Sequence, residues 1–91
     1  MLRLIRQKSF KKSLKKYRYN KQVLESLIYI VDLLVHEKPI PSKYKDHALT
    51  GKLKGVRELH LKPDDLLLYL KIDHESITLI DIGSHANVLG K

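Results

Sequence analysis

Leu24, Leu27, Ile28, Val31, Leu34 and Val35 recur at the i, i+3, i+4, i+7 spacing of a helix that buries one face. This is the strongest periodic signal in the 91 residues. Asn20 stands where an N-cap is wanted, so the spacing predicts a helix over about residues 21–36. Phe10, Leu14 and Tyr17 repeat the pattern on a shorter scale. They predict a helix over about residues 10–18, with Ser9 as its N-cap and Lys11, Lys12, Lys15, Lys16 and Arg18 on the outer side. Two such helices in succession form a hairpin whose apolar faces need a surface to cover.

The second half of the chain supplies that surface. Val56–Leu61 reads as a strand, and Pro63-Asp64-Asp65 as a turn. Leu66–Ile72 carries leucine on both parities and reads as a central strand. Asp73-His74-Glu75-Ser76 is a hairpin loop before a strand over Ile77–Ile82, which Gly83 ends. Residues 84–91 form a short tail, and residues 2–6 a short edge strand. Residues 37–54, with Pro39, Pro41 and Gly51, form a long loop, and long loops in small domains are commonly functional. Three strands with short connections imply an antiparallel meander. The expected fold is α+β, with the N-terminal helical hairpin packed on a small twisted, mainly antiparallel sheet, as one domain over residues 1–91.

Composition narrows the classes further. An apolar fraction of 43% supports a modest core. The absence of cysteine excludes disulfides and thiolate metal sites. No apolar run is long enough to span a bilayer, and Asp32 interrupts the longest one. Met1-Leu2-Arg3-Leu4-Ile5-Arg6 lacks the apolar core of a signal sequence, so a cytoplasmic protein is expected, with no membrane partner. The net charge of +8 is unevenly spread: residues 1–21 hold nine Lys/Arg and no Asp/Glu, and residues 43–62 hold six bases against two acids. Two basic segments of this kind attract nucleic acid or an acidic protein.

The second basic segment also contains histidine. His47 in Lys45-Asp46-His47, His60 and Asp64 in His60-Leu61-Lys62-Pro63-Asp64, and His85 in Gly83-Ser84-His85 stand in three short polar turns. Imidazole moves protons near neutral pH, and RNA cleavage through the 2′-hydroxyl needs only a base, an acid and a cation beside the phosphate. In the expected meander, the end of the first strand, the start of the second and the end of the third share one sheet edge. His60, Asp64 and His85 therefore meet there, and the loop carries His47 over them. Arg57 has the opposite parity to His60 and reaches phosphate only from the rim, or else supports the fold. Single exposed histidines are usually ordinary surface residues, and His36 and His74 are read so. Asp64 after Pro63 also suits a plain turn. No histidine pair has the short helical spacing of a zinc motif, so neither metal nor cofactor is expected.

The run Tyr44-Lys45-Asp46-His47-Ala48-Leu49-Thr50-Gly51, then Lys54-Gly55-Val56-Arg57-Glu58-Leu59-His60-Leu61-Lys62-Pro63-Asp64, then Leu66-Leu67-Leu68-Tyr69 and Gly83-Ser84-His85, resembles the YafQ branch of the RelE/ParE toxin superfamily. The resemblance covers essentially the whole chain. It implies a toxin of a type II toxin–antitoxin system, a ribosome-dependent endoribonuclease that cuts messenger RNA without metal through 2′-hydroxyl attack. It implies His47, His60, Asp64 and His85 as catalytic or phosphate-contacting residues, with His85 as general acid and His60 or Asp64 as base or orienter. Arg57, Lys45, Lys54, Lys62 and the helix lysines Lys11, Lys12, Lys15 and Lys16 are the expected RNA contacts. The implied partners are a cognate antitoxin, ribosomal RNA and messenger RNA, with operator DNA bound only by the toxin–antitoxin complex. Two positions depart from the family pattern. Asp81 stands where an arginine commonly precedes the last histidine by four residues, and Asp65 where an aromatic often follows the Pro-Asp pair. A carboxylate at position 81 repels phosphate, so reduced activity is expected, and a weakly active homologue acting through antitoxin binding is the alternative. The histidine set argues against a gyrase-poisoning toxin of the ParE type. One Phe and five Tyr are few for a plain RNA-binding sheet.

Overall fold

In the computed structural model, which describes residues 1–71 and 73–89, alternation along three strands creates two unlike sheet faces. β3 (Arg57–Lys62), β4 (Asp65–Leu70) and β5 (Ser76–Gly83) form the antiparallel meander that the spacing predicts. The expected end of the middle strand, Ile72, lies outside the described residues, as do Gly90 and Lys91 of the tail. Leu59, Leu61, Leu67, Tyr69, Ile77, Leu79 and Ile82 enter one core. Glu58, His60, Leu66 and Leu68 alternate with them and belong to the other face. A register shift leaves Ile80 unpaired between Leu79 and Asp81. That bulge lets both Leu79 and Ile82 face the core, and it puts Asp81 on the face of Glu58.

β1 (Arg3–Arg6) and β2 (His47–Ala48) complete a five-stranded mixed sheet in the order β1-β5-β4-β3-β2. β1 is an edge strand, as expected, but it pairs in parallel with β5, Arg3 opposite Ser76 and Arg6 opposite Leu79. β2 lies within the expected loop and pairs His47 with Glu58 and Ala48 with Arg57. The rest of that loop holds two single 3-10 turns, Ser42–Tyr44 and Gly51–Leu53.

α1 (Lys8–Leu14) runs on into a 3-10 turn over Lys15–Tyr17, and α2 spans Lys21–Val35. Ser9 is not the N-cap of α1. Gln7 holds that place, because β1 ends at Arg6 and the chain must turn at once. The Ser9 hydroxyl instead donates to the Ile80 carbonyl at 2.6 Å and ties α1 to the bulge in β5. Asn20 does cap α2, its side-chain oxygen accepting from the Val23 N–H at 3.2 Å. The buried stripe of α2 is Val23, Leu27, Ile30 and Leu34, so the helix is rotated slightly from the expected face and Ile28 is left 70% exposed. Both helices rest on the core face of the sheet, α1 against β5 and α2 over β3 and β5. The tail is not plain coil: α3 (His85–Leu89) folds back on β4 and β5, with the Ser84 hydroxyl accepting from the Asn87 N–H at 3.3 Å. Gly83 permits this approach, since a Cβ there would lie 3.1 Å from a Val88 methyl. Among the described residues no helix is long and apolar enough to cross a membrane.

Candidate functional site

The face of the sheet away from α1 and α2 carries the polar set. Position by position, His47, Glu58, Leu68 and Asp81 lie in one row across β2, β3, β4 and β5. His60, Leu66 and Gly83 form a second row. The second row ends where the Pro63-Asp64 turn meets the start of α3, so His60, Asp64 and His85 come together at one end of the sheet. His60 and His85 rings lie 5.8 Å apart at 60° to each other. His85 Nδ1 is 3.6 Å from Asp64 Oδ1. The expected convergence of these three is what the geometry has, and His47 reaches the same cluster from β2.

The hub of the cluster is Glu58, a residue that sequence reasoning passed over. It is only 3% exposed, and its Oε1 lies 3.5 Å from His47 Nε2 and 3.6 Å from His60 Nε2. Its other oxygen is buried with no hydrogen-bond partner. A buried, half-satisfied carboxylate is costly to a fold and is commonly kept for function. The signal was present in the chain, because Glu58 shares the parity of His60 two residues away.

Backbone carbonyls orient both imidazoles. His47 Nδ1 donates to the Lys45 carbonyl at 2.7 Å, and His60 Nδ1 to the Pro63 carbonyl at 3.2 Å. A carbonyl oxygen only accepts, so each Nδ1 carries hydrogen and each Nε2 is left to take or give a proton. Lys45 adopts a left-handed conformation, φ 51°, which aims its carbonyl at His47. On β4 the first residue, Asp65, accepts a 2.8 Å hydrogen bond from the Tyr17 hydroxyl. Burial, then this bond and the nearby carboxylates, push the Tyr17 phenol well above its ordinary value. The basic segment after α1 is thus fastened to the strand that follows the Pro63-Asp64 turn.

Arg57 stands apart from the histidines. Its guanidinium bonds Asp46 through two nitrogens at 3.3 Å, and the Tyr69 hydroxyl donates to Asp46 at 2.6 Å. The Asp46 bond and then Tyr69 hold Arg57 firmly charged, and burial followed by Asp46 pushes the Tyr69 phenol up. Parity explains the separation: Arg57 and Tyr69 belong to the helix-covered face, where Arg57, Asp46 and Tyr69 form a triad that supports the fold. Lys11, Lys12, Lys15, Lys16, Lys45 and Lys54 are exposed, and Lys62 is half-buried beside His60. His36 pairs with Asp32 on the outside of α2 at 3.2 Å, away from the site.

One donor set in this cluster suits a metal. Glu58, His60 and His85 each offer a ligand atom, all within 4.8 Å of one another. No spacing along the chain announces this set, because its members come from β3 and α3.

Residues 2–90 match the family described as bacterial toxin of type II toxin-antitoxin system, YafQ. The mRNA interferase toxin YafQ of Escherichia coli strain B is 33% identical over 82 residues, 89% of this chain and 88% of that protein. A copper-bound mutant toxin from Helicobacter pylori superposes with a TM-score of 0.89 at 38% identity, covering 97% of this chain and 99% of that one. The Escherichia coli DinJ–YafQ complex gives 0.85 at 30% identity over 99% of this chain and 100% of the matched one. On its near full-length match to the family and its histidine-bearing sheet, this chain belongs to the YafQ family of bacterial toxins from type II toxin–antitoxin systems.

Proposed function

We propose that the chain is a toxin that cuts messenger RNA on the ribosome by acid–base catalysis, restrained by a cognate antitoxin. The convergence of His60, Asp64 and His85 beside the buried Glu58 carries this reading. His60 Nε2 takes the proton of the attacking 2′-hydroxyl, its ring held by the Pro63 carbonyl and backed by Glu58. The 2′-oxygen attacks phosphorus, the bond to the 5′-oxygen breaks, and His85 gives that oxygen a proton. Asp64 is 78% exposed and 3.6 Å from His85, which suits it to orienting that ring rather than to serving as the base. His47, Lys45, Lys54 and Lys62 neutralise phosphate along the strand of RNA. The N-terminal helical hairpin, with Lys11, Lys12, Lys15 and Lys16 exposed, docks on ribosomal RNA, and operator DNA is bound only in the antitoxin complex. Asp81 shares the active face and slows the reaction without removing either proton carrier. The comparisons favour catalysis over antitoxin binding alone. The test is paired: ribosomes programmed with a message are treated with wild-type protein or His85→Ala. Cut message with the first and intact message with the second is expected; intact message with both overturns the enzyme reading.

A metal ion has a second claim on the same atoms. Two imidazole nitrogens and one carboxylate oxygen fit copper or zinc, and the orphaned oxygen of Glu58 lacks any other partner. Glu58, His60 and His85 would hold the ion. Ligation through these atoms would take up the imidazole lone pairs that proton transfer uses, so added metal should inhibit cleavage and a chelator should restore it. Cleavage indifferent to added copper or zinc counts against this competition.

A further inference from the structure

We infer that a cavity on the far side of His60 is a nucleotide subsite, which takes the RNA residue next to the cleaved bond; this rests on the RNA-cleavage reading above. The cavity has a volume of about 300 Å³ and lies between α2, the Ser42–Tyr44 turn and the end of β3. It exists because β2 is only two residues long and leaves the His60–Lys62 end of β3 without a strand partner on that side. Its size is at the lower end of small-molecule sites and suits a single nucleotide.

The lining has the chemistry of such a ligand. Lys43, Lys45 and Lys62 line the cavity, and no acidic residue is in its wall. None of the three takes part in an ion pair among the described residues, whereas Lys21 and Lys71 do. Three lysines without a carboxylate partner around one small volume make a positive field that attracts a phosphate. Leu61, Pro63 and Tyr44 make up the apolar part of the wall. The wall is also preorganised: Lys43 Nζ sits 5.2 Å over the Tyr44 ring, and Tyr29 braces that ring at 6.2 Å. His60 forms the partition: the residue lines the cavity, and its Nε2 lies 3.6 Å from Glu58 in the reaction centre. A nucleotide held here places its neighbouring phosphodiester against His60, which is how binding energy is turned into alignment.

The experiment uses the free protein and a short 2′-O-methyl RNA trinucleotide that cannot be cleaved. Backbone amide shifts in NMR titrations are expected at Ser26, Lys43 and Leu61, together with those near His85. Lys43→Glu and the cavity-filling Ser26→Trp should each weaken binding about tenfold or more, with Lys43→Glu also flattening the salt dependence by about 0.7 in the logarithmic slope. Shifts confined to the His47–His85 side, or unchanged affinity in Lys43→Glu, overturn the subsite. Inorganic phosphate is the control; if it reproduces all the shifts and the trinucleotide binds no tighter, the cavity is an anion site only and the nucleotide claim fails. Because the probe is never cut, these outcomes are separate from any failure of the cleavage reading.

Discussion

The two faces of the β3–β5 meander are made from alternating residues of the same strands, and they follow opposite physical rules. On the helix-covered face Leu59, Leu67 and Leu79 are buried among apolar neighbours, and even its polar members are matched, with Arg57, Asp46 and Tyr69 satisfying one another. On the open face Glu58 is as buried as a core leucine yet has one oxygen without a partner, and two imidazoles crowd the other. Apolar packing is concentrated on the first face and the proposed chemistry on the second. The backbone that separates them is shared, so a change on one face should leave the other's property nearly intact.

The largest effect expected from breaking this division is His85→Gln. Loss of the proposed proton donor should reduce cleavage about a thousandfold, about 4 kcal/mol of activation free energy, while the thermal midpoint stays within a degree or two. Single-turnover cleavage and a melting curve measured together decide it; equal losses in both would mean that the faces are not separable. Leu67→Ala should do the reverse. It removes a fully buried side chain from the packed face and should cost about 3 kcal/mol in denaturant unfolding, with cleavage per folded molecule retained. Glu58→Leu sharpens the contrast further, since an apolar side chain in that buried place should stabilise the fold by about 1–2 kcal/mol while cleavage falls. A destabilised Glu58→Leu would show that Glu58 holds the fold together. Asp81→Arg should raise cleavage about tenfold by placing a cation on the active face, and no change or a fall would discredit the account of that position. The smallest effect belongs to Tyr69→Phe, about 1 kcal/mol from the lost bond to Asp46. The folded Tyr69 phenol ionises above its unfolded value, so its contribution is present below pH ~10 and lost as the pH rises through the folded value. The deficit of Tyr69→Phe should therefore shrink in strong alkali.

The elements legible in the chain were the ones set by near neighbours. α2 and its Asn20 cap follow from spacing within twenty residues, and the β3–β5 meander from short turns. What sequence could not show depends on distant partners. The parallel pairing of β1 with β5 is decided by how the intervening helices are laid down, and β2 is too short to carry a pattern of its own. Ser9 has the look of a cap, but the hydroxyl is spent on Ile80, seventy-one residues away. At the site, His60, Asp64 and His85 could be brought together by the strand ends that the meander places at one sheet edge. Glu58 shares the parity of His60 and was overlooked because a glutamate in a basic strand reads as a surface charge. The metal-capable set was invisible for a different reason, since its ligands are joined only by tertiary folding.

The parallel register of β1 has a consequence for biosynthesis. Arg3–Arg6 find their partners only in Ser76–Leu79, and His85 lies later still. The β1–β5 edge closes a long loop and cannot form before β5 is made, unlike the hairpin pairs of the meander. α1 packs on β5, so the first helix has no surface to rest on until that strand is in place, and the β1 edge is the last part of the sheet to close.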